Sequence, residues 1–194
     1  MCTGGIPRFC ACCGRALTNA GGAGPSACVA CGKVSYEGPR VLVLSLIFAE
    51  NRILLMRRGV PPYIGRWAPP GGFVEANESL EGAAIRETAE EVGIVLPVEL
   101  LIPHAIVSLP TLNQVYFGFL ALLHRAQAPK ATAPESLEAR WFTLEEYPHD
   151  TMWDPAAGLD IASIFEQVKT GHFHFYQWTG QSSRQFGPFL AAEL

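Results

Sequence analysis

The chain has 194 residues, and hydrophobic residues make up 49% of them, which is enough for one medium-sized domain with a small appendage. The formal net charge of −4 argues against a protein built around a nucleic-acid backbone, because such proteins usually present a basic surface. The longest apolar stretch, residues 41–49, is too short to cross a bilayer and predicts a buried strand, so no membrane partner is expected. Residues 1–10 carry no apolar run of signal-peptide length, and a cytoplasmic location is therefore expected.

Two C-x-x-C-G pairs stand out among the six cysteines, all of which lie before residue 32. The pairs are Cys10 with Cys13 and Cys28 with Cys31. Each C-x-x-C turn directs two sulfur atoms at one point, and four thiolates complete the tetrahedron that Zn²⁺ prefers in a structural site. The segment has almost no aliphatic pattern, so metal binding would supply its folding free energy. We therefore predict a small zinc ribbon over residues 1–38.

Other interpretations of the cysteine-rich segment remain open at this point. Cys12 competes for a ligand position, although its spacing to the next cysteine is too short for the usual turn. Free thiols or a disulfide would be the simplest alternative, and Cys2 is expected to be a free thiol. A nucleic-acid-binding ribbon is opposed by the sparse basic residues Arg8, Arg15 and Lys33.

The remaining chain, residues 39–194, reads as one α+β domain. Its predicted elements are, in chain order, a β-hairpin over 41–58 turning at 49–51, a Pro/Gly-rich loop over 59–71, a helix from Ser79 to Val92 that ends at Gly93, strands over 98–109 and 113–123, a surface loop over 126–134, a short strand over 140–143, and a helix from Leu159 to Lys169. The tail from His172 is aromatic-rich and is expected to be irregular. Because helices do not alternate regularly with strands, a mixed sheet flanked by helices is favoured over a doubly wound fold.

Three glutamates crowd one face of the first predicted helix. At about 100° per residue, Glu87, Glu90 and Glu91 share roughly a third of the circumference. Such close carboxylates repel one another, and the helix dipole disfavours negative charge near a C-terminus. Divalent cations with a preference for oxygen ligands, Mg²⁺ or Mn²⁺, would relieve this repulsion. The competing interpretation is a solvated charged face in which Arg86 pairs with Glu90.

The stretch from Gly72 to Ile94 resembles the signature of the Nudix hydrolases, G-x5-E-x7-R-E-U-x-E-E-x-G-U, where U is an aliphatic residue. Every fixed position matches, and Thr88 is the one departure, at a position where an aliphatic residue is usual. Threonine is nearly isosteric with valine, so little consequence is expected. The resemblance implies a mixed β-sheet between helices, an α/β/α sandwich, and metal-dependent attack of water on a diphosphate.

The resemblance also implies roles for individual residues. The three glutamates of the signature would bind the metal ions together with a backbone carbonyl, and an arginine–glutamate pair would orient them. The residues concerned are Glu87, Glu90, Glu91, Gly71, Arg86 and Glu78. The general base varies in this family, and Glu135 and Glu138 lie where a loop carboxylate could serve. Both are equally well explained as ordinary surface glutamates.

Similarity outside the signature favours the FAD and ADP-ribose diphosphatases, some of which form homodimers. The similar stretches include residues 57–59, 65–75, 114–117 and 134–142. The substrate would be a nucleotide, with Gly71, Gly72 and Trp67 as candidate nucleotide-binding residues. Trp67, Tyr116 and Phe117 could stack on a ring, although core packing is the more common role of strand aromatics such as Tyr116 and Phe117. An NADH or NAD diphosphatase, and a non-catalytic nucleotide- or RNA-binding module, are the alternatives.

Overall fold

The computed structural model describes residues 9–17, 25–36, 38–153, 160–179 and 182–190. The predictions for Cys2 and for the helix start at Leu159 lie outside these residues. By its internal contacts the chain divides into two compact units, Met1–Pro39 and Arg40–Leu194. Within the described ranges, no helix is both long enough and apolar enough to cross a membrane.

The smaller unit holds two very short strands, β1 (Ser26–Ala27) and β2 (Val34–Ser35), which pair in antiparallel fashion. A single β-bridge joins Phe9 to Ala16. The buried hydrophobic residues described in this unit are Cys10, Leu17 and Cys28. So small an apolar cluster cannot stabilise a fold by burial alone, which agrees with the prediction that the cysteines hold this segment together.

Among its described residues, the larger unit has nine strands in one mixed sheet, and two α-helices lie against it. The strands are β3 (Arg40–Ala49), β4 (Arg52–Arg58), β5 (Trp67–Ala68), β6 (Gly71–Phe73), β7 (Leu101–Leu109), β8 (Gln114–Leu123), β9 (Ser136–Phe142), β10 (His172–Trp178) and β11 (Ser183–Leu190), and the helices are α1 (Leu80–Val92) and α2 (Ile161–Thr170). The strand order is β11-β10-β7-β8-β3-β4-β5, with β6 also paired to β3 and β9 to β4. The β3–β8 and β7–β10 pairs are parallel, and the other pairs are antiparallel.

Alternation along β3 places the two helices on opposite faces of the sheet, because successive strand side chains point in opposite directions. Val43 and Ile47 pack in the clusters that contain residues of α1. Leu46 and Phe48 pack in the cluster of α2, where the ring of Phe48 meets that of Phe165 edge-on at 5.0 Å. The predicted α+β sandwich with helices on both sides of a mixed sheet is confirmed.

Local chemistry explains how the first hairpin and α1 begin and end. Glu50 and Asn51 both have positive φ, 51° and 56°, as a two-residue type I′ turn between β3 and β4 requires. The side chain of Ser79 accepts a hydrogen bond from the Gly82 amide and caps the start of α1. Gly93 ends the helix in the left-handed conformation at φ 70°.

The prediction of an irregular C-terminal tail is wrong, because residues 172–190 contain a β-hairpin formed by β10 and β11. β10 also pairs in parallel with β7, where Tyr176 lies opposite Ala105. Phe173 is buried in the core beside α2. The free backbone edge of β7 and this apolar contact decide the structure, and neither is visible in the local sequence.

The last short strand was predicted too late in the chain. β9 begins at Ser136 rather than at Arg140, and it pairs with β4 from Ser136 to Phe142 with one irregularity in register. Ser136 to Ala139 contain no strong β-former, so the pairing partner rather than propensity sets the start. As a result Glu138 lies within a strand, whereas Glu135 precedes it in the loop.

Candidate active site and cysteine cluster

Two glycines of β6 bring the backbone close to the carboxylates of α1. The amide of Gly71 donates a hydrogen bond to Oε2 of Glu91 at 2.8 Å. A Cβ atom at Gly72 would lie 2.2 Å from Oε1 of Glu87, and one at Gly71 would lie 2.1 Å from the carbonyl oxygen of Val43. Only glycine allows this close approach of strand and side chains at both positions.

Glu87 and Glu91 are buried carboxylates whose ionisation is disfavoured. Burial raises the pKa of Glu91 to about 8, and the neighbouring charges of Glu87 and Glu135 add to this effect against the hydrogen bond from Gly71. Burial likewise raises the pKa of Glu87, while Arg86 opposes the rise. A desolvated pair of acidic oxygen ligands is the donor set that Mg²⁺ or Mn²⁺ would stabilise.

The guanidinium of Arg86 organises the acidic side chains around it. It forms a bidentate ion pair with Glu78, with both N–O distances 2.9 Å. Its remaining donors reach Glu87 at 2.8 Å, Glu90 at 3.2 Å and the carbonyl oxygen of Phe73 at 3.0 Å. The ion pair lowers the pKa of Glu78 to about 2. Arg86 therefore fixes the orientation of Glu87 and links α1 to β6.

Glu90 differs from the other two signature glutamates. Its side chain is 56% exposed and pairs with Arg86. In the described part of the chain, no group of three His, Cys, Asp or Glu ligands other than the cysteines has its ligand atoms within 4.8 Å of one another. The structure thus places Glu87 and Glu91 against β6. The side chain of Glu90 points at Arg86 instead.

The structure separates the two candidate bases. Glu138 on β9 lies opposite Arg57 on β4 and forms an ion pair with it at 3.8 Å, with both side chains nearly half exposed. The charge of Glu135, by contrast, contributes to the raised pKa of Glu87 and of Glu91. Glu135 is therefore within electrostatic reach of the acidic face of α1.

The loop that carries Glu135 is held against the end of β4. The amide of Gly59 donates a hydrogen bond to the Glu135 carbonyl oxygen at 2.7 Å. A Cβ atom at position 59 would lie 1.9 Å from the carbonyl oxygen of Pro134. Glycine at this position therefore lets the loop that carries Glu135 lie against the end of β4.

The predicted stacking aromatics are engaged in packing. Trp67 meets Phe142 edge-on with ring centroids 4.8 Å apart. Tyr116 is buried, donates its hydroxyl to Gln114, and stacks on Trp153 at 5.7 Å with an interplanar angle of 19°. Phe117 packs against its neighbours on the same sheet. The core interpretation therefore describes Tyr116 and Phe117 better than the stacking one.

Thr88, the departure from the signature, is completely buried on the sheet side of α1. Within the described residues its hydroxyl has no hydrogen-bond partner. Threonine has nearly the same shape as valine, so it preserves the packing that an aliphatic residue would give. The cost is a buried hydroxyl group without a hydrogen bond.

The four C-x-x-C cysteines of the smaller unit converge in space. Their sulfur atoms all lie within 4.8 Å of one another, and the Cys10–Cys31 and Cys13–Cys28 Sγ–Sγ distances are both 3.6 Å. A tetrahedral zinc site with bonds of about 2.3 Å has sulfur–sulfur edges of about 3.8 Å. The arrangement therefore fits Zn²⁺, and Cys12 is exposed and outside the cluster.

Both halves of the cluster share one backbone geometry. The Gly14 amide donates to the Cys10 carbonyl and the Gly32 amide to the Cys28 carbonyl, each at 2.8 Å, with glycine φ of 70° and 71°. The backbone N–H groups of Ala30 and the following cysteine lower the pKa of the Cys28 thiol to about 6. Such amides stabilise a thiolate, which is the form that binds metal.

Residues 38–160 match the model of the Nudix domain, and the chain belongs to the Nudix family. The resemblance seen over Gly72–Ile94 is thereby confirmed. A crystal structure of a Nudix hydrolase from Nitrosomonas europaea is similar with a TM-score of 0.72 at 29% sequence identity, over 89% of this chain and 98% of that one.

Two curated relatives share parts of the sequence. An ADP-ribose pyrophosphatase of Methanocaldococcus jannaschii is 43% identical over 67 residues, which is 34% of this chain and 40% of that protein. The NAD-capped RNA hydrolase NudC of Stutzerimonas stutzeri is 32% identical over 146 residues, which is 73% of this chain and 50% of that protein. The chain thus spans half or less of the length of these two relatives.

Proposed function

We propose that this protein hydrolyses the diphosphate bond of a nucleoside diphosphate derivative, FAD or ADP-ribose, in a divalent-metal-dependent reaction that releases AMP. The observation that carries the proposal is the pair of buried carboxylates, Glu87 and Glu91, held against the glycine backbone of β6. A buried acidic pair is unfavourable by itself and becomes favourable with a cation that also binds phosphate. The similarity to an ADP-ribose pyrophosphatase supports this substrate class.

The metal ions would be held by Glu87, Glu91 and Glu90, together with the carbonyl oxygen of Gly71. Bound Mg²⁺ or Mn²⁺ supplies Lewis-acid chemistry, in that it neutralises phosphate charge and lowers the pKa of a water ligand. Glu90 would turn from Arg86 to join the other two carboxylates. The bidentate pair with Glu78 would then keep the arginine in place and maintain the orientation of Glu87.

Glu135 is the proposed general base. An O–P bond forms between the attacking water and one phosphorus, the bridging P–O bond breaks, and the carboxylate of Glu135 accepts the proton of the water. Its electrostatic effect on both buried carboxylates supports this role. Glu138 is the weaker candidate, because it pairs with Arg57 on the neighbouring strand.

A second candidate function is hydrolysis of NADH or NAD, favoured by the 32% identity to a NudC protein. The decisive experiment is a screen of FAD, ADP-ribose, NADH and nucleoside triphosphates with Mg²⁺ or Mn²⁺, in which the phosphate-containing products are identified. Release of AMP from FAD or ADP-ribose at the highest kcat/KM supports the proposal. Preference for NADH would favour the second function, and binding without any AMP release would indicate a non-catalytic module.

We further propose that residues 1–38 form a zinc ribbon with Zn²⁺ on Cys10, Cys13, Cys28 and Cys31, and that residues 39–194 form the hydrolase domain. The sulfur geometry supports the metal, and the division of the chain into two units supports the boundary. A nucleotide is the proposed partner, with Gly71, Gly72 and Trp67 close to where it binds. A homodimer and a cytoplasmic location stay predictions from the sequence.

A further inference from the structure

The last turn of α1 accepts hydrogen bonds from the loop over residues 130–132, which is distant in sequence. Carbonyl groups at the end of a helix have no partner within the helix and need donors from elsewhere. The amide of Lys130 donates to the carbonyl oxygen of Val92 at 2.8 Å. The amide of Thr132 donates to the carbonyl oxygen of Glu91 at 3.2 Å. The loop thus completes the hydrogen bonding of the turn that carries Glu91.

The contact between this loop and the end of the helix is close. Gly93 has a φ of 70°, and a Cβ atom there would lie 3.2 Å from Cβ of Lys130 and 3.4 Å from its carbonyl oxygen. A side chain at position 93 would therefore press on the loop. The two residues that accept the hydrogen bonds are both buried, Val92 fully and Glu91 with 5% exposed. An unpaired carbonyl group would be costly there, because water cannot easily replace the lost donor.

The loop over residues 130–132 is also tied to the sheet. The carbonyl oxygen of Thr132 accepts a hydrogen bond at 3.0 Å from the amide of Ser136, the first residue of β9. The amide of Gly59, just after β4, donates to the carbonyl oxygen of Glu135 at 2.7 Å. Thr132 therefore links α1 to the sheet through its own backbone, because its amide bonds to the helix and its carbonyl group bonds to the strand.

Glu91 is consequently held at two points. Its carboxylate accepts a hydrogen bond from the amide of Gly71 on β6, and its backbone carbonyl group accepts one from the amide of Thr132. The residue needs this support, because the helix dipole disfavours negative charge in the last turn and the buried carboxylate of Glu87 lies one turn away. Opening of the last turn would relieve this repulsion and would withdraw the Glu91 carboxylate from β6.

We propose that the loop over residues 130–132 positions Glu91 for metal binding, and that the amide of Thr132 is the group through which it does so. The inference rests on the proposed function, in which Glu91 binds Mg²⁺ or Mn²⁺. Thr132 is a positioning residue, since it acts through the backbone of Glu91. Groups that orient a metal ligand contribute to metal affinity without touching the ion, so loss of this amide should weaken metal binding while the fold is retained.

The experiment removes one backbone donor. Thr132→Pro lacks the amide hydrogen, whereas Thr132→Ala keeps it and loses only an exposed side chain. Ala131→Pro is the matched control for the stiffness of proline, because among the described residues no hydrogen bond from the amide of Ala131 is found. Replacement of Thr132 by its α-hydroxy acid analogue removes the same donor without a proline ring, and it serves as the test if Thr132→Pro does not fold.

Three measurements are made on the whole protein. Binding of Mn²⁺ without nucleotide is measured by electron paramagnetic resonance. Thermal unfolding is measured without divalent metal and checks that each variant is folded. Steady-state rates with ADP-ribose are measured over a range of Mn²⁺ concentrations. Glu91→Gln is the reference for complete loss of this ligand.

We expect Thr132→Pro, or the α-hydroxy acid variant, to raise the Kd for Mn²⁺ by roughly 10-fold or more relative to both Thr132→Ala and Ala131→Pro. Saturating Mn²⁺ should restore most of the kcat, which a general loss of structure would not allow. Equal Mn²⁺ affinities in these variants, or a loss of kcat that saturating Mn²⁺ does not restore, would overturn the inference.

Failure of the proposed function gives a different result. If wild type binds Mn²⁺ but hydrolyses no ADP-ribose, the proposed function fails, and the comparison of Kd values still decides the role of Thr132. If Glu91→Gln binds Mn²⁺ as tightly as wild type does, Glu91 is not a ligand, and the inference is overturned whichever substrate is hydrolysed.

Discussion

The amide of Gly71 on β6 donates a hydrogen bond to Oε2 of Glu91 on α1 at 2.8 Å. This bond ties a strand of the sheet to the last turn of the helix, where the helix dipole disfavours a carboxylate. The bond favours the ionised form, but burial is the larger effect and raises the pKa of Glu91 to about 8. The buried carboxyl group of Glu91 therefore lowers the stability of the metal-free fold, as expected at a site that binds a cation.

The first prediction concerns Glu91→Gln. The amide oxygen can still accept from Gly71, so we expect the fold to be retained and the metal-free protein to be as stable as wild type or more so, because no buried carboxyl must ionise. The kcat should fall by roughly 100-fold or more, since a metal ligand is lost. Thermal unfolding without divalent metal and initial rates with Mg²⁺ measure the two effects. Glu99→Gln, on the exposed surface, is the control, and full Mg²⁺-dependent activity in Glu91→Gln would exclude the proposed role.

Gly72→Ala should disturb the site through a single methyl group. The new Cβ would lie 2.2 Å from Oε1 of Glu87, so that carboxylate must move away from β6 and from Arg86. We expect kcat/KM to fall by roughly 10- to 100-fold, as for other losses of ligand orientation. Gly38→Ala is the matched control, because its Cβ would meet no atom within 4 Å. Equal activity of the two variants would contradict the importance of the close approach.

Glu135→Gln and Glu138→Gln test the choice of general base. The two substitutions are chemically identical and three residues apart, and only Glu135 acts electrostatically on both buried carboxylates. We expect Glu135→Gln to lower kcat by roughly 100-fold, within the range for loss of a general base, and Glu138→Gln to stay within about 3-fold of wild type. The reverse ranking would assign the role to Glu138.

Zinc analysis tests the cysteine cluster. Elemental analysis of protein purified without chelator should give one zinc per chain, because four sulfur atoms converge on one point. Cys31→Ser should lose most of the zinc, and Cys12→Ser should keep it, because Cys12 lies outside the cluster. A substoichiometric value in wild type, or equal loss in both variants, would argue against the four-cysteine site.

His104 on β7 should make folding stability pH-dependent. Burial lowers the pKa of His104 from the usual histidine value of about 6.5 to about 4, and the nearby His174 contributes. The unfolded chain therefore binds a proton that the folded chain does not, and stability is lost as the pH falls from about 6.5 to 4. The loss attributable to this group is on the order of 3 kcal/mol.

Urea unfolding at pH 7.5 and pH 4.5 measures this effect as a difference between variants. His104→Phe, which fills a similar volume without titrating, should lose less stability between the two pH values than wild type does. His124→Gln, at an exposed position, should follow wild type. If wild type and His104→Phe have parallel pH profiles, His104 is not responsible for the loss.

Much of the site could be predicted because its residues are close in sequence. Arg86, Glu87, Glu90 and Glu91 all lie on α1, so the face that the glutamates share follows from their helical spacing. The cysteine pairs are also local features, since each C-x-x-C turn positions its own two sulfur atoms. The limits of α1 at Ser79 and Gly93 also follow from capping chemistry and agree with the structure.

The parts that could not be predicted depend on contacts between distant segments. The C-terminal hairpin forms because β7 offers a free edge to β10, some 70 residues later in the chain. Glu135 and Glu138 look alike in the sequence, and the pairing of β9 with β4 assigns Glu138 to an ion pair and leaves Glu135 in the loop before the strand.

The sequence by itself determined which groups can bind a metal ion, because ligand type and helical spacing are local properties. The tertiary structure alone decided which of them are buried, what Arg86 holds, and that Arg58 lies on Trp153 some 95 residues away. Burial and charge pairing arise only when the sheet brings separate segments together. The raised pKa of Glu91 and the effect of the Glu135 charge on the carboxylates of α1 are therefore properties of the fold.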